Sequence, residues 1–195
     1  MRKLISSKEL FTPISLLILM SIAMPVAFNV WSAMLNNFVV EKAAFTGVEI
    51  GILQSLREVP GFLSFTLIFV LLILKEQSFA VFSLALLGLG VCLTGFFPSV
   101  YGLYFTTIIM SIGFHYFEAV KQSLSLQWLS KEEAPIILGK LLAIGSLTSL
   151  IVYGCLWILL EIFQFPYWIN FVLAGGVCIL LSIVMFFCFP AFPAK

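Results

Sequence analysis

The sequence predicts an all-α polytopic membrane protein with six transmembrane helices, on three observations. Hydrophobic residues make up 62 % of the 195-residue chain and charged ones only 10 %, with a mean hydropathy of +1.17. A polar surface in water cannot cover that composition. Six apolar stretches, 13–38, 47–74, 78–97, 101–128, 135–160 and 166–189, fill the chain almost end to end. Each reaches the roughly 20 residues that cross a bilayer as a helix. None alternates apolar and polar residues with a period of two, as the strands of a membrane barrel do.

The first span follows a polar start containing Arg2, Lys3, Lys8 and Glu9. It is longer than a signal-peptide core of about 7 to 15 residues and reads as a retained helix. The second and third spans are joined by Lys75-Glu76-Gln77, and Pro98-Ser99 separates the third from the fourth. No soluble domain fits such connections. The chain therefore reads as one bundle over 1–195, and nucleotide-driven transport by this chain alone is excluded. A net charge of +1 gives no sign of a nucleic-acid partner. With six spans both termini share a side, which collects Arg2, Lys3, Lys8, Lys75, Lys131 and Lys195, with Lys140 just inside the fifth span. Lys42 stands on the other. The positive-inside rule then predicts cytoplasmic termini in a plasma (inner) membrane. Cys92, Cys155, Cys178 and Cys188 all fall inside spans without metal-ligand spacing. They read as small packing residues, with no metal and no cofactor implied.

Polar residues at helical spacing mark the faces that avoid lipid, because a side chain that needs hydrogen bonds must find protein or water. On the first span Ser21, Pro25, Asn29, Ser32 and Asn36 share a narrow sector. On the second, Gly47, Gln54, Arg57, Glu58 and Gly61 do the same. The fourth aligns Ser111, His115, Glu118, Gln122 and Ser125, with Lys121 at the edge, and the fifth aligns Gly139, Ser146, Ser149 and Tyr153. The third offers little beyond Ser83, Cys92 and Thr94, and the sixth only Asn170 and Ser182. These two are expected as outer, lipid-facing supports. Arg57 and Glu118 each lie roughly 15 Å from the near end of their spans at about 1.5 Å per residue, close to the midplane. A charge there costs about 2.5 to 3.5 kcal/mol on the insertion scale. Several such charges on converging faces predict a hydrated cleft walled by spans 1, 2, 4 and 5.

Two three-helix units, 13–97 and 101–189, with the first and second helices of each lining a cleft and the third outside, resemble one half of a major facilitator superfamily transporter. Asn29-Val30-Trp31 through Thr46-Gly47-Val48-Glu49-Ile50-Gly51 resembles that family's first helix, short outer loop and small-residue entry into the second. The resemblance covers essentially the whole chain, as an amino-terminal half. It implies alternating access by rocking of two six-helix bundles around a midplane site. Partners are then the lipid bilayer, a small-molecule solute and a second six-helix bundle, either an identical chain or a carboxy-terminal half. The loop Ile73-Leu74-Lys75-Glu76-Gln77-Ser78 lacks the family's glycine, aspartate and basic residues there. Ala143-Ile144-Gly145-Ser146-Leu147-Thr148 lacks the Gly-Pro signature of drug–proton antiporters.

The candidate solute or proton pathway comprises Asn29, Gln54, Arg57, Glu58, His115, Glu118, Lys121 and Gln122. His115 and Glu118, three apart on one face, are spaced to share a proton, or else to make a structural hydrogen bond between helices. Arg57 and Lys121 are placed to hold an anionic group, or else to neutralise Glu58 and Glu118 as inter-helix ion pairs. Gly47-Gly51-Ser55 forms a small-residue stripe that admits a neighbouring helix. Pro25 and Pro60-Gly61 weaken backbone hydrogen bonding at depth and permit kinks. Trp31, Trp128, Trp157 and Trp168 read as interfacial anchors. An intramembrane protease is disfavoured, since the chain has no Gly-x-Ser-x-Gly turn and no Asp. Two readings remain: a secondary transporter, or half of one, for a small polar or anionic solute, with proton coupling as an option; and a non-catalytic membrane scaffold whose polar stripes only bind helices together.

Overall fold

Residues 11–193 are described by a computed structural model, and all regular structure among them is helical. The charges on Arg2, Lys3, Lys8, Glu9 and Lys195 lie outside the described residues. The elements are α1 (Pro13–Ala43), α2 (Gly47–Phe62), a 3₁₀ turn (Leu63–Thr66), α3 (Leu67–Leu71), α4 (Glu76–Thr94), α5 (Val100–Trp128), α6 (Ala134–Trp157) continued by a π turn (Ile158–Ile162), and α7 (Tyr167–Cys188).

Their starts follow from local chemistry. Thr12 caps α1, its Oγ1 accepting from the Ser15 N–H at 3.1 Å while Ser15 Oγ accepts from the Thr12 N–H at 2.8 Å, and Pro13 follows as the first helical residue. Thr46 repeats the device for α2, where the Glu49 carboxylate accepts from the Thr46 N–H at 2.8 Å. Ser99 caps α5 by accepting from the Gly102 N–H at 3.2 Å. Between the first two helices Ala44 turns the chain in the left-handed region at φ 52°, an uncommon conformation for a residue bearing a Cβ.

Five helical segments, Pro13–Ala43, Glu76–Thr94, Val100–Trp128, Ala134–Ile162 and Tyr167–Cys188, are long and apolar enough to cross a membrane. The molecule is a multi-pass membrane helical bundle. The second predicted span differs from expectation. It is not one helix over 47–74 but α2, a 3₁₀ turn and α3 in series. Pro60 has no N–H to give the Leu56 carbonyl, and Gly61 adds backbone freedom, so the last turn of α2 tightens two residues later, where the Leu63 N–H reaches the Gly61 and Val59 carbonyls. Tyr116 of α5 braces the break through its hydroxyl, 2.8 Å from Thr66 Oγ1.

The third span departs further from expectation. Rather than an outer support, α4 is the centre of the packing, lodged between α5 and α7 and also touching α1. Phe79, Ala80, Val81, Ser83, Leu84, Leu87, Gly88, Gly90, Val91 and Thr94 are buried along it. Lipid is as apolar as leucine, so helices in a membrane associate through close contact rather than through exclusion of water. Small residues permit that contact here. A Cβ added at Gly88 would lie 2.7 Å from the Gly175 carbonyl of α7, and Cβ atoms at Gly90 and Gly113 would strike the Met110 and Leu87 backbones across the α4–α5 seam. The missing polar stripe on α4 therefore reflects tight apolar packing, not lipid exposure.

The remaining seams are α1 against α6 and α7, and α2 against α5, whereas α5 and α6 meet only at their edges. Trp31 is fully buried within the bundle, whereas Trp128, Trp157 and Trp168 stand at helix ends, Trp128 buried against Phe192 and the other two exposed. The four cysteines are unbridged. Gly47 and Gly51 face open space, so no helix among the described residues uses their stripe.

Candidate functional site

The polar stripe of α5 is real as a face but meets two different neighbours along its length. Toward its N-terminal half it faces α2. There the Ser111 hydroxyl donates to the Arg57 carbonyl, and His115 Nε2 lies 3.8 Å from Glu58 Oε2. Arg57 donates from Nε and Nη2 to Glu58 Oε1 at 2.9 and 2.6 Å, a two-pronged contact between successive residues. Gly61 is where His115 fits, because a Cβ there would stand 2.8 Å from the imidazole Cε1. Arg57, Glu58 and His115 thus form one charged cluster on the α2–α5 seam.

Toward its C-terminal half the same stripe faces α1 and α6 across a gap. Where α5 and α6 separate, a cavity of about 540 Å³ opens between α1, α5 and α6. Asn29 of α1 and Ser149 of α6 brace one wall, the Asn29 amide donating to Ser149 Oγ at 2.7 Å. Glu118, Lys121, Gln122 and Ser125 of α5 and Ser146 of α6 add polar groups, while Met24, Phe28, Phe114, Leu138, Leu141 and Leu142 supply an apolar flank. Phe28 and Phe114 stack at 4.3 Å with nearly parallel rings, and Phe114 also meets the His115 ring edge-on at 5.1 Å. Phe114 thus touches both the cavity and His115 of the cluster on the α2–α5 seam.

Two features of the cavity are chemically unfinished. Glu118 Oε1 is buried without a hydrogen-bond partner, and Lys121 Nζ is 3.9 Å from it, close enough to attract but too far to bond. Lys121 Nζ also lies 5.7 Å from the Phe117 ring centroid. The Ser21 hydroxyl, on a residue 2 % exposed, likewise has no partner, and Ser21 lines the cavity. Pro25, one turn on, has no N–H to offer the Ser21 carbonyl. That carbonyl faces α6, 3.5 Å from where a Cβ on Gly145 would sit.

Among the predicted pathway residues the structure therefore joins Asn29, Glu118, Lys121 and Gln122 around one cavity and places Arg57, Glu58 and His115 in a separate cluster. Gln54 belongs to neither. The predicted four-helix cleft is walled by three helices, α1, α5 and α6, because α2 packs against the N-terminal half of α5 and does not line the gap. His115 is paired with Glu58 across helices, not with Glu118 on its own. Arg57–Glu58 and Glu118–Lys121 are ion pairs as the neutralising reading expects, but each lies within one helix rather than between two.

Sequence reading missed a polar knot where the C-terminal end of α5 meets the start of α4. Gln127 donates to Glu76 Oε2 at 2.5 Å and Ser123 donates to the same oxygen at 3.2 Å. Gln77 holds the chain after α7 by both ends of its amide, donating to the Pro190 carbonyl and accepting from the Phe192 N–H, each at 2.9 Å. The i, i+4 spacing of Ser123 and Gln127 was the available signal; its partner on another helix was not legible. No known protein family, curated protein or solved structure matches this chain.

Proposed function

We propose that this protein is a secondary transporter, or half of one, that moves a small polar solute by alternating access and belongs with the major facilitator superfamily. The observation that carries the reading is the cavity between α1, α5 and α6, which gathers Asn29, Glu118, Lys121, Gln122, Ser125 and Ser146 around a space of about 540 Å³ at mid-depth of an apolar chain.

The packing pattern supports a pair of three-helix repeats. Exchanging spans 1, 2 and 3 for 4, 5 and 6 turns the seams of α1 with α6 and α7 into those of α5 with α2 and α4, and returns the α4–α7 seam to itself. Each of these principal seams has its counterpart. The open faces of α2 and α6 support a second bundle as partner. Gly47 and Gly51 on one, and Gly139 and Gly154 on the other, have nothing within 4 Å of an added Cβ. Lys75 and Lys131 against Lys42 support cytoplasmic termini, and the membrane of this reading is the plasma (inner) membrane.

The competing reading is a non-catalytic membrane scaffold, and the closed, hydrogen-bonded Arg57–Glu58 pair favours it locally. Two measurements separate them. Glu118→Gln and Lys121→Met are expected to abolish solute uptake by proteoliposomes at unchanged protein abundance; a collapse of abundance in both would instead favour the scaffold. Native mass spectrometry in nanodiscs is expected to give a dimer, and a strict monomer would rule out transport by this chain alone.

A further inference from the structure

We propose that the α1–α5–α6 cavity binds a zwitterion of amino-acid type, with ammonium and carboxylate close together and an apolar side chain. The inference rests on the cavity being a solute site and narrows the class of solute it takes.

The cavity holds one carboxylate and one ammonium, on Glu118 and Lys121, and they leave each other unfinished at 3.9 Å, with Glu118 Oε1 accepting no hydrogen bond. A ligand with a single charge completes only one of them. An anion on Lys121 would turn its charge toward Glu118, and a cation on Glu118 would do the same to Lys121. A zwitterion supplies a donor to Glu118 and an acceptor to Lys121 together, replacing a loose contact with two charge-assisted hydrogen bonds.

The surroundings match the two ends of such a ligand. Ser21 presents an unpartnered, buried hydroxyl, and Pro25 leaves its carbonyl without the usual helical donor. These acceptors suit an ammonium with three protons to place, of which Glu118 takes only part. Gln122 lines the same wall and adds amide donors for a carboxylate. Met24, Leu138, Leu141, Leu142 and the stacked Phe28–Phe114 pair form the flank that an apolar side chain would cover. A volume of about 540 Å³ admits a ligand of this size.

The test is binding, not uptake. Phenylalanine, phenethylamine and hydrocinnamate share one side chain and carry both charges, the cation alone and the anion alone. Titrated calorimetrically into the protein in nanodiscs, phenylalanine is expected to bind at least about tenfold tighter than either analogue, the scale of one lost charge-assisted bond. In Glu118→Gln the advantage over hydrocinnamate should vanish, and in Lys121→Met the advantage over phenethylamine. Equal or tighter binding of a single-charge analogue to the unaltered protein would overturn the inference without recourse to variants. So would absence of binding by all three. Zwitterion binding together with failed uptake in proteoliposomes would uphold this site and count against transport alone.

Discussion

Helix α5 has two contrasting sides. Against α4 it packs backbone to backbone, with Gly90 set on Met110 and Gly113 on Leu87, and leaves no room for a methyl group. Against α6 it hardly packs at all and leaves a cavity lined by Glu118, Lys121, Gln122 and Ser125. The difference teaches what each residue type does inside a membrane. Small apolar residues gain dispersion contacts that lipid would supply less well, so they bring helices together. Polar residues larger than serine cannot be covered by a flat apolar helix face, so they hold helices apart unless a partner meets them.

The largest expected effect comes from filling the tight seam. Gly90→Val would drive a branched side chain into the Met110 backbone, and a loss of about 3 kcal/mol or more is expected, seen as a collapsed monodisperse fraction in detergent. The matched change at an open site, Gly139→Val, should leave that fraction intact; equal damage at both positions would erase the contrast. Next comes the hydrogen bond that crosses the cleft's wall from α1 to α6. Asn29→Ala removes the 2.7 Å bond to Ser149, with an expected cost of about 1 kcal/mol in thermal unfolding. Tyr116→Phe, which frees Thr66 beside the 3₁₀ break, should cost a similar or smaller amount, about 0.5 to 1 kcal/mol.

The contrast is sharpened without any change in stability by water access. In a chain with its native cysteines replaced by alanine, a cysteine at exposed Ser146 should react with a membrane-impermeant maleimide, whereas one at buried Ser83 on α4 should not. Labelling at both, or at neither, would remove the cavity's claim to be wet.

Composition and pattern determined that the chain is a helical membrane bundle, because 62 % hydrophobic residues in long runs without a period of two leave helices as the way to satisfy the backbone in lipid. The starts of the spans at 13, 47 and 101 fell within a residue of the helix starts, and the caps that set them, Thr12, Thr46 and Ser99, act between residues within three positions of one another. The polar faces of α1, α5 and α6 were legible from the helical period, and so was the weak point at Pro60-Gly61. What each face meets was decided only by tertiary structure. One stripe on α5 divides between α2 and α6, so His115 goes to Glu58 while Glu118 stays with Lys121, and no spacing along a single helix encodes that choice. The place of α4 was decided there too. An apolar helix rich in small residues suits lipid or a close neighbour equally well by composition, and only the approach of Gly175, Met110 and Leu87 to its own backbone and that of its partners settles which one it met.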